Sequence, residues 1–279
     1  MSDITLIDDS EQSSLVTNGL AKNGELYLKK AGSTDAGSIV AYDSGSWRTF
    51  ANEYAPSFTN AYSVDFDGSN DYVDITGARG VFDSATTFSI SLWYYADNYA
   101  GAVFGSSFTA TDGVWLLPYS SSTFFFSVRN GGGTSISTTP PALNQWVHVV
   151  ATYNAGNGAL YLTPAGGSTS ITTSTSLPTS LSSNAGINLS IGRLALAPGY
   201  YFNGKVDEVA IWDSELSSSD VTAIYNSGTP DDLTSYSPVG WWRMGDNDGG
   251  TGTTITDQGS GSNDGAFGNS PTFSTTVPS

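Results

Sequence analysis

Four oxygen-bearing side chains crowd one turn of this sequence: Asp65, Asp67, Asn70 and Asp71, with Gly68 allowing a sharp bend between them. Calcium takes six to eight oxygens, carboxylates and carbonyls among them, so the set reads as a partial calcium shell. The other reading is that the carboxylates tie the turn together by accepting its own N–H groups. The spacing is not that of an EF-hand, since the glycine stands fourth and no Glu follows at the twelfth position. Asp246, Asn247 and Asp248 with Gly249 form a second, weaker group of the same kind.

Other chemistry is sparse. No cysteine is present, which removes disulfides and thiolate metal sites. His148, the one histidine, lies in the run WVHVV and shares a face with Trp146 and Val150, so it reads as a packed or hydrogen-bonded residue rather than a base. Neither Gly-x-Ser-x-Gly, a P-loop nor Gly-x-Gly-x-x-Gly occurs. Asp207 and Glu208 are adjacent, and strict strand alternation would point them to opposite faces, unable to act as a pair on one substrate.

The elements that must position these groups are strands. Aromatic residues make up 13% of the chain, with 32 glycines and few Lys, Glu and Arg, a composition of strands joined by tight turns. The run Tyr201–Leu216 turns at Asn203-Gly204 and then alternates, Val206, Glu208, Ala210 and Trp212 against Lys205, Asp207, Val209 and Ile211. Tyr62–Ile75 reads as two strands about a Gly-Ser-Asn turn, and further strands are expected at Thr87–Tyr95, Ala102–Gly105, Val114–Leu117, Thr123–Val128 and Ile187–Arg193, with Gly131–Gly133 and Leu194–Tyr201 as loops. Gln145–Tyr153 and Ala159–Thr163 make a hairpin across Asn154–Gly158, and Ser168–Ser183 is a Ser/Thr tract of strand and loop. Ser217–Asn226 is the one helix, with Ser217 as N-cap and Asp220 completing a capping box. Trp93, Trp146 and Trp212 are expected in the core, GWWRM at 240–244 as a late strand, and the rest of the tail as coil. About 12 short strands with glycine-rich turns make an all-β, two-sheet antiparallel jelly-roll sandwich with one short helix.

Residues 1–60 differ from the rest, with short strand-like pieces and all but one of the four lysines, and read as a small β-rich arm for attachment or oligomerisation, or as a leader; 61–279 form the sandwich. The formal charge of −17 repels polyphosphate and anionic lipid, which argues against nucleic acid and membrane insertion. The start, MSDITLIDDSEQ, has neither a basic n-region nor an apolar h-region, so no signal peptide is expected, and no run approaches the roughly 18 apolar residues of a membrane span.

Four pieces in order, VDFDGSNDYVDI (64–75), FSISLWYYAD (88–97), WVHVVATYNAGNGALYL (146–162) and FNGKVDEVAIWDSELSSSDVTAIYNSG (202–228), resemble the laminin-G-like or concanavalin A-like lectin and glucanase jelly roll. The segment 240–268 resembles what usually precedes the first of these pieces, which implies a permuted sandwich completed by residues 240–279. The resemblance implies that Asp207 approaches the acidic turn, or else holds a loop through N–H bonds. It implies sugar or protein recognition at strand ends and loops, with Tyr94, Tyr95, Tyr99, Trp115, Tyr119, Tyr200 and Tyr201 as candidates. Glucanases of this family carry Glu-x-Asp-x-x-Glu or Glu-x-Asp-x-Glu on one strand; none of the five glutamates here starts that pattern, which speaks against such catalysis. The arm and the missing leader are similar to bacteriophage virion proteins with such domains. The expected role is a non-enzymatic virion module for adhesion to a host-surface glycan or a neighbouring virion protein, made in the host cytoplasm, with homo-oligomerisation, a trimer if it is a fibre. The alternatives are a structural decoration or fibre protein without ligand, and a glycan-active enzyme with an unfamiliar site.

Overall fold

The computed structural model describes residues 5–7, 10, 26–29, 39–43, 46–49, 58–109, 112–182, 189–194 and 200–279. The start of the expected strand Ile187–Arg193, most of the loop Leu194–Tyr201 and the end of the tract Ser168–Ser183 lie outside the described residues. The chain divides into two compact units, Met1–Phe58 and Thr59–Ser279.

In the first unit, β1 (Thr5–Ile7), β2 (Leu26–Lys29), β3 (Ile39–Asp43) and β4 (Ser46–Thr49) form one sheet in that order, with β1 parallel to β2 and the other pairs antiparallel.

The second unit is a sandwich of two antiparallel sheets. Its strands are β5 (Ser63–Asp67), β6 (Tyr72–Ile75), β7 (Thr87–Ala96), β8 (Phe104–Thr109), β9 (Asp112–Ser120), β10 (Thr123–Arg129), β11 (Gly133–Thr138) and β12 (Trp146–Asn154). They continue with β13 (Asn157–Pro164), β14 (Ser170–Ser174), β15 (Leu189–Ile191), β16 (Asn203–Trp212), β17 (Gly240–Trp242), β18 (Thr254–Ile255), β19 (Gly265–Gly268) and β20 (Thr272–Ser274). Sheet I runs β11-β10-β9-β8-β15-β6-β19-β18, and sheet II runs β14-β13-β12-β7-β16-β5-β20, with β17 beside β16. β5 and β6 are not a hairpin: the acidic turn carries the chain from sheet II to sheet I.

The layers are pressed together by inward side chains at alternate positions: Phe88, Ile90 and Leu92 from β7, Val147, Val149 and Ala151 from β12, Phe124, Phe126 and Val128 from β10, all buried. Phe88 stacks on Tyr153 at 4.8 Å between centroids and meets Phe82 edge-on at 5.1 Å, geometries that add to the burial itself. The tail is not coil beyond residue 244. Its β17 pairs β16, β19 pairs β6 and β20 pairs β5, and it inserts fully buried Trp242, Met244 and Ile255 into the core.

Two expectations about β16 need correction. Asn203-Gly204 is no turn: both residues lie inside the strand, where Gly204 has φ 136° and a Cβ would collide with the Tyr95 carbonyl oxygen of β7. Nor does the alternation run unbroken. A register shift between Asp207 and Ala210, with Glu208 at φ 47°, is a β-bulge, so Val206 and Val209 both face the core.

The outer face of sheet II is covered by α1 (Ser218–Tyr225), capped at Ser217 by the full capping box with Asp220. Tyr225 stacks on Trp93 at 5.7 Å and on His148 at 5.9 Å. His148 Nε2 lies 2.8 Å from Ser91 Oγ, and burial lowers its pKa to about 3, so it stays neutral. Trp93 and Trp212 are buried, yet in this outer layer rather than between the sheets; the Trp212 indole N–H donates to the Tyr236 carbonyl.

Candidate functional site

The outer face of sheet I is built by register. Pairings place Ser135, Ser127, Trp115, Gly105, Ser190, Asp74 and Ala266 opposite one another in one row across seven strands, β11 to β19. The next row on β10 and β9 carries Phe125 opposite Leu117, flanked by Ser137 on β11. Trp115 and Leu117 pack with Ala102, and Phe125, Leu194 and Tyr200 close on them. Tyr119 lies at the edge of this group, 5.7 Å from the Phe125 ring and 52% exposed. The Arg129 guanidinium sits over the Trp115 ring at 4.6 Å, where Gly133 opposite leaves it room. Ser127 and Ser135 share a hydrogen bond of 2.7 Å. Beyond Gly105, Arg193 donates to Asp74 at 2.7 Å, Ser190 Oγ donates to the same oxygen at 2.6 Å, and the guanidinium covers the Tyr72 ring. The face thus offers an aromatic platform bordered by hydroxyls and two arginines.

Of the aromatic candidates, Trp115, Tyr119 and Tyr200 meet here. Tyr94 does not: it is a core residue between Phe124 and Phe202. Tyr95 is on sheet II, edge-on to Trp146 at 5.8 Å and beneath Lys205. The Tyr99 hydroxyl donates to the Pro141 carbonyl, and Tyr201 is half-buried in a bridge with Arg193. Phe125 and Arg129 were not among the candidates. The run Phe124-Phe125-Phe126 held the signal, because alternation that buries the first and third must turn the second outward.

The acidic turn does gather Asp65, Asp67, Asn70 and Asp71, around a cavity of about 360 Å³ also lined by Asn203, Ser270 and Thr272. Their oxygens are largely committed. Asp71 accepts from the backbone N–H of Asp67 and of Ser270, Asp67 Oδ1 accepts from Ser69 and Asn70, and Asp65 pairs with Lys205 at 3.2 Å. Among the described residues no three acidic or histidine side chains converge on a point where a metal ion could sit. Asp207 does not line this cavity; it lies inside β16. In the weaker group, Asp248 accepts from Thr256, and Asp246 binds Arg243 and the N–H groups of Ala61 and Tyr62. The residues present fit a self-bonded turn rather than a calcium shell. Asp71→Ala should lower stability by about 1–3 kcal/mol, since two N–H groups lose their acceptor. Calcium and EDTA should leave the melting temperature of the native chain unchanged; a calcium-dependent rise in differential scanning fluorimetry would restore the metal.

A third group was hidden from sequence reasoning. At the bulge, Asp207 and Glu208 are both buried, and β5 and β17 lie along the same edge of β16 on either side of it. Asp207 accepts from Asn60 Nδ2 at 3.0 Å; Glu208 accepts from Trp241 Nε1 at 2.7 Å and from Arg243 Nε at 2.9 Å. Arg243 also reaches Asp246 at 2.8 Å and the Thr59 carbonyl. Two acids, Glu208 and Asp246, therefore share one guanidinium, while Asp207 lies beside Glu208 and is held by Asn60 and the Glu208 N–H. Burial raises the pKa of all three: that of Glu208 reaches about 7 despite Arg243, while Asp207 is pushed well up by burial and the neighbouring Glu208 charge. The arrangement locks the sheet and presents no open carboxylate pair.

Comparison with known proteins agrees with this architecture. The family model described as the concanavalin A-like lectin/glucanases superfamily (Laminin_G_3) matches residues 67–222. A candidate carbohydrate-binding protein from Bacteroides ovatus ATCC 8483 superposes with a TM-score of 0.57 at 17% identity, over 92% of this chain and 71% of that one. Also similar are domain 4 of AbnA, an extracellular arabinanase from Geobacillus stearothermophilus seen with arabinotriose (TM-score 0.46, 16% identity, 75% of this chain and 94% of that one), and a sialidase carbohydrate-binding module from Ruminococcus gnavus seen with α2,3 sialyllactose (0.47, 13%, 60% and 99%). No curated protein sequence matches the chain. At these identities the likeness is one of fold, and with more than half of its length under the family model the chain belongs to the concanavalin A-like lectin/glucanase superfamily.

Proposed function

We propose that this chain is a non-enzymatic glycan-binding module that holds sugar on the outer face of sheet I. The observation that carries the reading is Tyr119, 52% exposed against Phe125, on the face that also holds the Trp115–Arg129 stack and the accessible hydroxyls of Ser135 and Ser137. A sugar ring has an apolar C–H face, which an aromatic plane covers, and a rim of hydroxyls, which serine and arginine side chains satisfy. Hydrolysis is outside the proposal. A retaining glycosidase needs two carboxyl groups about 5 Å apart, and the central row of this face carries Asp74, which is held by Arg193 and Ser190.

The same reading has residues 1–58, a compact unit with its own sheet, dock the module on a larger assembly such as a virion, with a host-surface glycan as target. Among the described residues no helix is long and apolar enough to cross a membrane.

A glycan array with the full chain, followed by calorimetry on the strongest hit, tests the proposal. Tyr119→Ala and Phe125→Ala should each weaken binding about tenfold, the loss of one aromatic contact of roughly 1–1.5 kcal/mol. Circular dichroism should be unchanged for Tyr119→Ala. An array without a hit, or a hit indifferent to both substitutions, overturns the reading and favours a structural protein without a sugar ligand.

A further inference from the structure

From Asn130 to Gly192 the sequence holds no Asp, Glu, Lys or Arg, in a chain with 26 acids and nine bases. The fold brings three strands of this span, β11, β13 and β14, to one side of the sandwich. β14 ends sheet II and β11 ends sheet I, and the two edges adjoin. β14 pairs with β13, and among the described residues no strand pairs its other side. Edge strands are usually blunted by charge, proline or a bulge. β14, Ser-Ile-Thr-Thr-Ser, has none of these: its register with β13 is unbroken, and Thr169 and Thr175 extend it with further hydroxyls. Ile171 on this strand is 57% exposed, more than Tyr119.

We propose that β14 is the contact through which two copies of this chain associate, edge to edge and antiparallel, joining the two copies of sheet II into one continuous sheet. A two-fold axis requires a self-complementary patch, and this strand supplies one. With the axis at Thr172, Ser170 faces Ser174 of the second copy, Ile171 faces Thr173, and Thr172 faces itself. Hydroxyl pairs and an aliphatic side chain against a threonine methyl are favourable cross-strand neighbours, and no like charges are opposed. Charge selects the occupant as well. All 26 acids lie outside the uncharged span, so two copies meeting through other surfaces bring net negative charge together, and at this edge that repulsion is least. A basic partner would be drawn to the acidic surfaces instead. The inference is independent of the sugar-binding reading.

Sedimentation velocity of the full chain, up to about 200 µM protomer, reads the association directly. The expected result is a dimer whose fraction rises with concentration and rises again between about 0.15 and 1 M salt, because salt screens the net charge but not strand pairing. The double variant Ile171→Lys/Thr173→Lys should raise the dimer Kd at least about tenfold, each introduced cation facing one of the second copy, although it lowers the net negative charge of the chain. Both positions are exposed, so its melting temperature should match that of the native chain. Ile171→Glu/Thr173→Glu should also be monomeric, and mixing the two variants at low salt should restore a dimer. A native chain that stays monomeric throughout overturns the proposal, as does a dimer indifferent to the lysines or a mixture that stays monomeric.

Discussion

A chain that stops at Val239 is expected to lose the cooperative unfolding transition of the sandwich. The cut strips β17 from β16, β19 from β6 and β20 from β5, so it opens both sheets at once. It removes Trp242, Met244 and Ile255, all fully buried, and the partly buried Phe267–Phe273 pair that packs on the core. Deleting one large buried side chain costs about 2–5 kcal/mol, and three of them reach the whole stability of an ordinary domain, about 5–15 kcal/mol. Loss of the sigmoidal urea curve, loss of near-ultraviolet dichroism and gain of dye binding should appear together. A truncated chain that melts cooperatively near the native midpoint would show that the tail is an accessory.

The second large effect is electrostatic. Arg243→Met should destabilise the domain by about 3–5 kcal/mol at pH 8, because it leaves Glu208 and Asp246 without their cation, next to the buried Asp207. The cost should shrink on acidification. These acids hold their protons more tightly folded than unfolded, where a glutamate titrates near 4.3. Their contribution to stability is therefore fully present below the unfolded value and is lost as the pH rises toward the folded one, about 7 for Glu208. At pH 5 the folded cluster takes up protons and needs the guanidinium less, so the gap between Arg243→Met and the native chain narrows. Equal gaps at pH 5 and pH 8 in chemical denaturation would mean that the cluster does not titrate in this window.

What the sequence disclosed depended on how local the cause was. The β12–β13 hairpin and the α1 cap are set by residues within a few positions of each other, Ala155-Gly156 at positive φ and the Ser217–Asp220 box, and both could be read directly. The bulge could not. Nothing in VDEVAIW marks Glu208 as left-handed; Trp241 and Arg243, about 35 residues on, hold its carboxylate there. β18, β19 and β20 are two to four residues long, too short for a period of two to show, and form because distant β6 and β5 offer them open edges. β11 escaped notice because its Ser/Thr pattern carries one inward apolar residue, Ile136. At the candidate face, the exposed tyrosines could be guessed as strand-end aromatics. Their grouping could not, since it follows from the cross-sheet register that sets Trp115 between Ser127 and Gly105.

The ion pair of Lys205 with Asp65 has a practical consequence. Its amine is 3.2 Å from that carboxylate, 5.4 Å from the centre of the Tyr95 ring, and its side chain is 16% exposed. The other lysines are Lys22, Lys29 and Lys30, all within Met1–Phe58. Acylating reagents at limiting dose should therefore spare Lys205, and the surface around Tyr119, whose described cations are arginines, should stay unlabelled.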